Sequence, residues 1–260
     1  MGDDLRVHRS ATRYLDRLGV DVEGRARDRT LLAELQTAHL IAVPFENLDV
    51  YHRRGTTTDP VTSVHKVVDR GRGGWCFELN GAFGWLLREL GYDARYVSCR
   101  VHGPEGWGPD FDHCALVVTL GTVPWFVDVG FGDCCMVPVA LVPGDHDGVP
   151  RHVRIRPADP SDGDRVVLAE RFADGWEDQL EIDPTPRSMD EFAARSTFLQ
   201  TEPGLAWTAK PFATRATAAD GSRVTLRPQV LRLREGTGQF VDTAHDDFAV
   251  LLRERFDLDQ

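Results

Sequence analysis

The nine residues from Arg72 to Asn80, RGGWCFELN, hold the features that make a cysteine chemically useful. Glycines at 71, 73 and 74 leave the backbone before Cys76 pliable, and the residues after it predict a helix. Leu79, Phe83, Leu86, Leu87 and Leu90 fall at i, i+4, i+7, i+8 and i+11, with Gly91 as the stop. A thiol at the opening of a helix lies beside unpaired N–H groups and the positive end of the dipole. Both favour the thiolate and can draw a cysteine below its free pKa of about 8.5. The competing reading is a small buried cysteine after a tight turn.

A reactive cysteine needs a base, and nine histidines are available. His8, His52, His146, His152 and His245 lie in polar or turn-like surroundings that suit a solvated surface. His39 sits on a helix stripe as a core or cap residue, and His65 and His102 have no evident partner. His113 differs, because it opens the alternating strand DHCALVV, sharing a face with Ala115 and Val117. The following strand, WFVDVGF, carries Asp128 among apolar residues. If the two strands form a hairpin turning around Leu120–Pro124, His113 and Asp128 come out opposite each other or one pair apart. A carboxylate in an apolar strand is costly unless paired, and an imidazole across the ladder is its partner. Cys76, His113 and Asp128 then supply a nucleophile, a base and an orienting carboxylate, the logic of a cysteine acyltransferase or hydrolase.

The elements around these residues change period along the chain. Helical patterns dominate the first ninety residues: one helix follows Ser10, and another, capped by Asp28 or Thr30, must end before Pro44. Short β-rich runs follow at 94–101, 112–120 and 125–129. Residues 143–165 concentrate Gly, Pro and Asp and predict a long exposed hairpin or loop. Strand patterns resume at 165–168 and around 224–233, and a last helix carries Phe248, Leu251, Leu252 and Phe256, capped by Asp242 or Thr243. Helices, then strands, then a mixed remainder give an α+β fold, divided as 1–92, 93–186 and 187–260.

With 30 Lys+Arg against 41 Asp+Glu the chain carries a net charge of −11, which argues against nucleic acid or an anionic membrane as a partner. No apolar run reaches the roughly 20 residues of a membrane span, and the acidic start does not read as a signal peptide. The five cysteines, odd in number and scattered, fit neither a disulfide scaffold nor a zinc site, so a reduced, cytoplasmic chain is expected. Adjacent Cys134 and Cys135 would point opposite ways in an extended chain, and no metal is assigned. Lys66 and Lys210 are the only lysines, a bias that reads as coding composition and carries no functional assignment.

RGGWCFELN resembles the arylamine N-acetyltransferase signature R-G-G-x-C-x-E-x-N, and VPFENLDV (Val43 to Val50) resembles that family's second hallmark. DHCALVV and FVDVGFG resemble the segments that carry its histidine and aspartate. The likeness runs in order from about Tyr14 to Gly132. It implies an N-terminal helical bundle, a central antiparallel β-barrel-like domain and a C-terminal α/β lid, on a core like that of cysteine proteases and transglutaminases. It also implies a Cys76–His113–Asp128 triad, acetyl-CoA as acyl donor, an aromatic amine or hydrazine as acceptor and a Cys76 thioester between them. Arg72, Glu46 and Asp49 match positions of a polar network under the site, and Phe45 and Phe131 match positions lining the acceptor pocket. Independently of the resemblance, Arg72 near a buried Glu46 would form a charge-assisted pair, while Pro44 and an Asn47 cap would account for PFENL as a structural turn.

The second half departs from the family pattern. Thr201 and Thr208 remain of a hydroxyl-rich stretch that helps hold coenzyme A, but Glu202 stands between them, and an acid is repelled by phosphate. That leaves room for a related amide synthase taking a polyketide-like acyl chain from an acyl carrier protein. A cysteine hydrolase or transglutaminase-like enzyme and an idle binding module complete the alternatives.

Overall fold

The computed structural model describes residues 9–259, so His8 and the acidic start lie outside the described residues. Helix α1 (Arg9–Leu18) buries Tyr14, Leu15 and Leu18, and α2 (Arg29–Ala42) starts where Asp28 accepts the Leu31 N–H at 3.0 Å. The chain then forms a two-residue strand β1 (Phe45–Glu46), a single helical turn α3 (Leu48–Tyr51) and α4 (Pro60–Asp69) before α5 (Cys76–Glu89). All five apolar residues of the expected α5 stripe are fully buried.

An antiparallel sheet follows, built from β2 (Asp93–Gly103), β3 (Gly106–Trp107), β4 (His113–Leu120), β5 (Val123–Val127), β6 (Val139–Ala140), β7 (Gly144–His146), β8 (Val153–Pro157), β9 (Val166–Phe172) and β10 (Gly175–Arg187). Its strand order is β6-β5-β4-β2-β10-β9-β8-β7, with β3 paired to β2. The alternation of β4 serves two cores. Cys114, Leu116 and Val118 pack with the helices, whereas Ala115 and Val117 join Val97, Cys99, Leu168, Leu180 and Ile182 inside the curved sheet.

The remainder comprises α6 (Ala193–Thr201), α7 (Ala206–Ala209), β11 (Ala213–Ala216), β12 (Arg223–Arg227), β13 (Val230–Arg234), β14 (Val241–Ala244) and α8 (Phe248–Phe256). The second sheet, β1-β11-β12-β13-β14, reaches back to take β1 as its first strand, so PFENL belongs to both halves of the fold. The architecture is α+β: helices against one face of a barrel-like sheet, and a smaller sheet with its own helices.

Of the two readings offered for residues 143–165 the hairpin holds: β7 pairs with β8, and β8 goes on to pair with β9, burying Val153 and Ile155, while the Gly/Pro density marks the turns. Two local expectations are corrected. The cap of α8 is Asp247, which accepts the Val250 N–H at 2.9 Å, while Asp242 and Thr243 lie in β14. Asn47 flanks α3 without capping it through its side chain. No helix among the described residues is long and apolar enough to cross a membrane.

Candidate active site

Cys76 is the first residue of α5 and is 5% exposed. The glycines before it are dictated by packing. Pro44 and Glu46 bond to Gly74 in a parallel bridge, and a Cβ on Gly73 would lie 2.0 Å from the Pro44 carbonyl oxygen.

His113 and Asp128 meet across the β4–β5 hairpin, whose last pair is Leu116 with Val127. Asp128 stands one residue beyond that pair, on the side of the ladder that His113 occupies. His113 Nε2 donates to Asp128 Oδ2 at 2.6 Å, and both side chains are buried. Cys76 makes the other polar contact of the imidazole, for which Nδ1 is the nitrogen left. Burial works against a charged imidazole, but the Asp128 carboxylate, its hydrogen bond and the Cys76 sulfur outweigh it and push the His113 pKa up to about 10.

Asp128 is itself held from two sides. Asn80, one turn beyond Cys76 on α5, donates from Nδ2 to Asp128 Oδ1 at 2.8 Å and to the Cys114 carbonyl at 2.7 Å. Its own Oδ1 accepts the Val129 N–H at 3.0 Å, and the Gly130 N–H donates to Asp128 Oδ1 at 2.7 Å. Asn80 therefore fastens the helix of Cys76 to the strand of His113 and to the loop of Asp128. The close approach needs Gly130, where a Cβ would stand 2.7 Å from Cys76 Cα and 2.7 Å from Asn80 Nδ2.

Beneath the loop lies a buried ionic network. Arg72 reaches Glu46 Oε1 at 2.7 Å and Asp49 Oδ1 at 3.2 Å, bringing together three residues singled out in the sequence. Lys66 extends it, contacting Asp49 at 2.7 Å and both Glu78 oxygens at 2.9 and 3.0 Å. Burial pushes Glu78 up to about 7 against the pull of Lys66, whereas Lys66 and Arg72 hold Asp49 below the usual carboxylate range despite its burial. Lys66, set aside as compositional, is thus a buried cation 7% exposed.

The sequence profile of the N-acetyltransferase family matches residues 29–260. An arylamine N-acetyltransferase of Mycobacterium tuberculosis is 34% identical over 261 residues, covering 94% of this chain and 88% of that protein. The chain belongs to the arylamine N-acetyltransferase family. Among solved structures, the Salmonella typhimurium arylamine N-acetyltransferase matches with a TM-score of 0.88 at 26% identity, over 97% of this chain and 92% of that one. The Mycobacterium marinum arylamine N-acetyltransferase in complex with CoA matches with a TM-score of 0.85 at 29% identity, over 95% and 92% of the two chains.

Around the cysteine, this family member assembles aromatic rings from distant segments. Phe131 packs edge-on against His113 with centroids 5.2 Å apart, and Phe45 meets Trp207 at 6.0 Å and Phe212 at 5.5 Å. Trp75, beside Cys76, contacts Trp207 at 5.9 Å. Asn47 binds this wall together, donating to the carbonyls of Trp207 and Lys210 at 2.8 and 2.9 Å and accepting the Phe212 N–H at 2.8 Å. Trp207 and Phe212 escaped the sequence reading because the rings they meet outside their own segment, Phe45 and Trp75, lie more than 130 residues away. Thr201 and Thr208 flank the Trp207 segment, but both hydroxyls donate to nearby carbonyls, of Thr197 at 2.7 Å and of Leu205 at 3.1 Å. Each keeps lone pairs but no free proton for a phosphate. Glu78 and Asn80 stand at the E and N of R-G-G-x-C-x-E-x-N but received no role from the sequence; Lys66 left no signal beyond its rarity.

Proposed function

We propose that the protein transfers an acetyl group from acetyl-CoA to an arylamine or hydrazine nitrogen through a thioester on Cys76. The observation that carries this reading is the buried contact chain Cys76–His113–Asp128, with Nε2 to Oδ2 at 2.6 Å. An imidazolium beside the sulfur favours the anionic nucleophile, and Asp128 fixes the tautomer and stabilises the cation. In the first half-reaction the Cys76 sulfur attacks the acetyl carbonyl, the carbon–sulfur bond to coenzyme A breaks, and the departing thiolate takes the His113 proton. In the second, the amine nitrogen attacks the Cys76 thioester, His113 accepts the nitrogen's proton, and the free cysteine is regenerated.

Phe45, Phe131 and Trp207 supply the apolar, ring-stacking wall that suits an aromatic acceptor. The similar Mycobacterium marinum arylamine N-acetyltransferase is solved in complex with CoA, which supports coenzyme A as the donor's carrier. Exposed Glu202, between Thr201 and Thr208, is the feature that favours the second reading, an amide synthase fed by an acyl carrier protein.

Two-substrate kinetics test the proposal. With acetyl-CoA and an arylamine, double-reciprocal plots should give parallel lines, the mark of a two-step exchange through an acyl-enzyme. Intersecting lines would replace it with direct transfer, and turnover with a carrier-bound donor alone would move the assignment to the amide synthase.

A further inference from the structure

Cys134 and Cys135 do not point apart as an extended chain would require. The segment bends after Asp128, and the two sulfurs lie 3.3 Å from each other, both buried. Their ligand atoms and a carboxylate oxygen of Glu170, on β9, fall within 4.8 Å of one another. Glu170 is 1% exposed; Arg151 donates to its Oε2 at 2.7 Å, while Oε1 receives no N–H or O–H donor among the described residues. The carboxylate's other hydrogen-bonding neighbour is the Cys134 thiol. A buried carboxylate oxygen without an N–H or O–H donor, aimed at two thiols, is a costly arrangement for a structural site and a natural one for a cation.

We propose that Cys134, Cys135 and Glu170 form a binding site for a thiophilic divalent cation of the zinc or cadmium class, separate from Cys76. Two thiolates and one carboxylate suit such an ion, with a fourth position left open. Zinc–sulfur bonds of about 2.3 Å in tetrahedral geometry set two sulfurs roughly 3.8 Å apart, so the pair needs to open by only about half an ångström. A disulfide is the poorer outcome for the same thiols. Neighbouring Cα atoms stand about 3.8 Å apart, short of the roughly 4.4–6.8 Å that an unstrained disulfide spans. On binding, two S–H bonds break, two sulfur–metal bonds form and two protons leave to solvent. The ion would tie the loop of Asp128 and Phe131 to β9, where Arg151 already bridges Glu170 and Asp133.

Cadmium titration of the full chain, in a Cys76→Ser background that removes the competing nucleophile, is the test. We expect a sulfur-to-cadmium charge-transfer band saturating at one ion per chain, abolished by Cys134→Ala and weakened by roughly tenfold or more in Glu170→Gln. No band, or one that survives Cys134→Ala, would overturn the site, and unchanged affinity in Glu170→Gln would remove Glu170 from it. A second measurement needs no substitution. Zinc should slow alkylation of Cys134 and Cys135 together in the unaltered protein, read by peptide mass spectrometry, and equal rates with and without zinc at both positions would equally overturn the proposal.

Discussion

The side chains around Cys76 are held so closely that the chemistry depends on single atoms. Asp128 spends one oxygen on His113 and the other on Asn80 and the Gly130 N–H, so its charge is fixed in place and aimed at the imidazole. That charge is what keeps His113 protonated well above neutrality, since burial alone pulls the other way. The His113 imidazole should therefore keep its proton from about pH 6 to 9, read as constant ring-carbon chemical shifts by NMR. In Asp128→Asn the imidazole loses its counter-charge and its proton at lower pH, so those shifts should titrate within that range, while acetyl transfer falls by orders of magnitude; about 10⁴ is the loss in a serine triad given the same change. Matching imidazole titrations in the two proteins would show that Asp128 does not control the charge of His113.

At the scale of elements, the contacts of Asn47 fasten the 201–212 segment to the PFENL turn, and through it to the glycine bridge before Cys76. Asn47→Ala removes three hydrogen bonds, leaving the part-buried Trp207 and Lys210 carbonyls short of a donor and the Phe212 N–H short of an acceptor. We expect a loss of about 1–3 kcal/mol in unfolding free energy and a raised KM for the arylamine, with a smaller effect on kcat. An unchanged melting temperature and KM would mean that the aromatic contacts alone hold this wall. The elements nearest the chemistry were legible because their signals are local: the α5 stripe, the alternation of His113–Leu120, and a lone aspartate in the next strand. The 13-residue β10 went unread because GWEDQLEIDPTPR mixes acids and prolines into its alternation, and only Leu180 and Ile182 betray its inward face. Cys134 and Cys135 were misjudged for a related reason. Extended geometry was assumed for a segment whose bends are set by contacts elsewhere, such as the Gln36 amide donating to the Cys135 carbonyl at 2.8 Å.

Across the molecule, the helices are joined through His39, fully buried between Tyr14 of α1 and Phe83 of α5, with Nε2 bonded to the Tyr14 hydroxyl at 2.8 Å. Burial, helped by the nearby Arg17 charge, lowers its pKa from 6.5 to about 3. Between those values the unfolded chain holds a proton that the folded one refuses. The contribution of His39 is therefore complete above pH 6.5 and is lost progressively as the pH falls toward 3. The melting temperature of the wild type should drop more steeply from pH 6.5 to 4.5 than that of His39→Gln, and parallel curves would show that acid sensitivity arises elsewhere. The pairing of β2 with β10 and the return of β1 into the second sheet were beyond local patterns, because both join segments far apart in the chain, as Val101 with Leu180 and Phe45 with Thr214.

The central claim is that Cys76 alone carries the acyl group. Incubating the protein with acetyl-CoA in the absence of amine, then mapping the adduct by peptide mass spectrometry, tests it directly. The account predicts one acetyl group per chain, on the peptide containing Cys76, removed on addition of an arylamine and absent in Asp128→Asn over the same interval. An acetyl group on Cys99, Cys114, Cys134 or Cys135, or an arylamine acetylated at full rate by a protein that never carries the adduct, would contradict it.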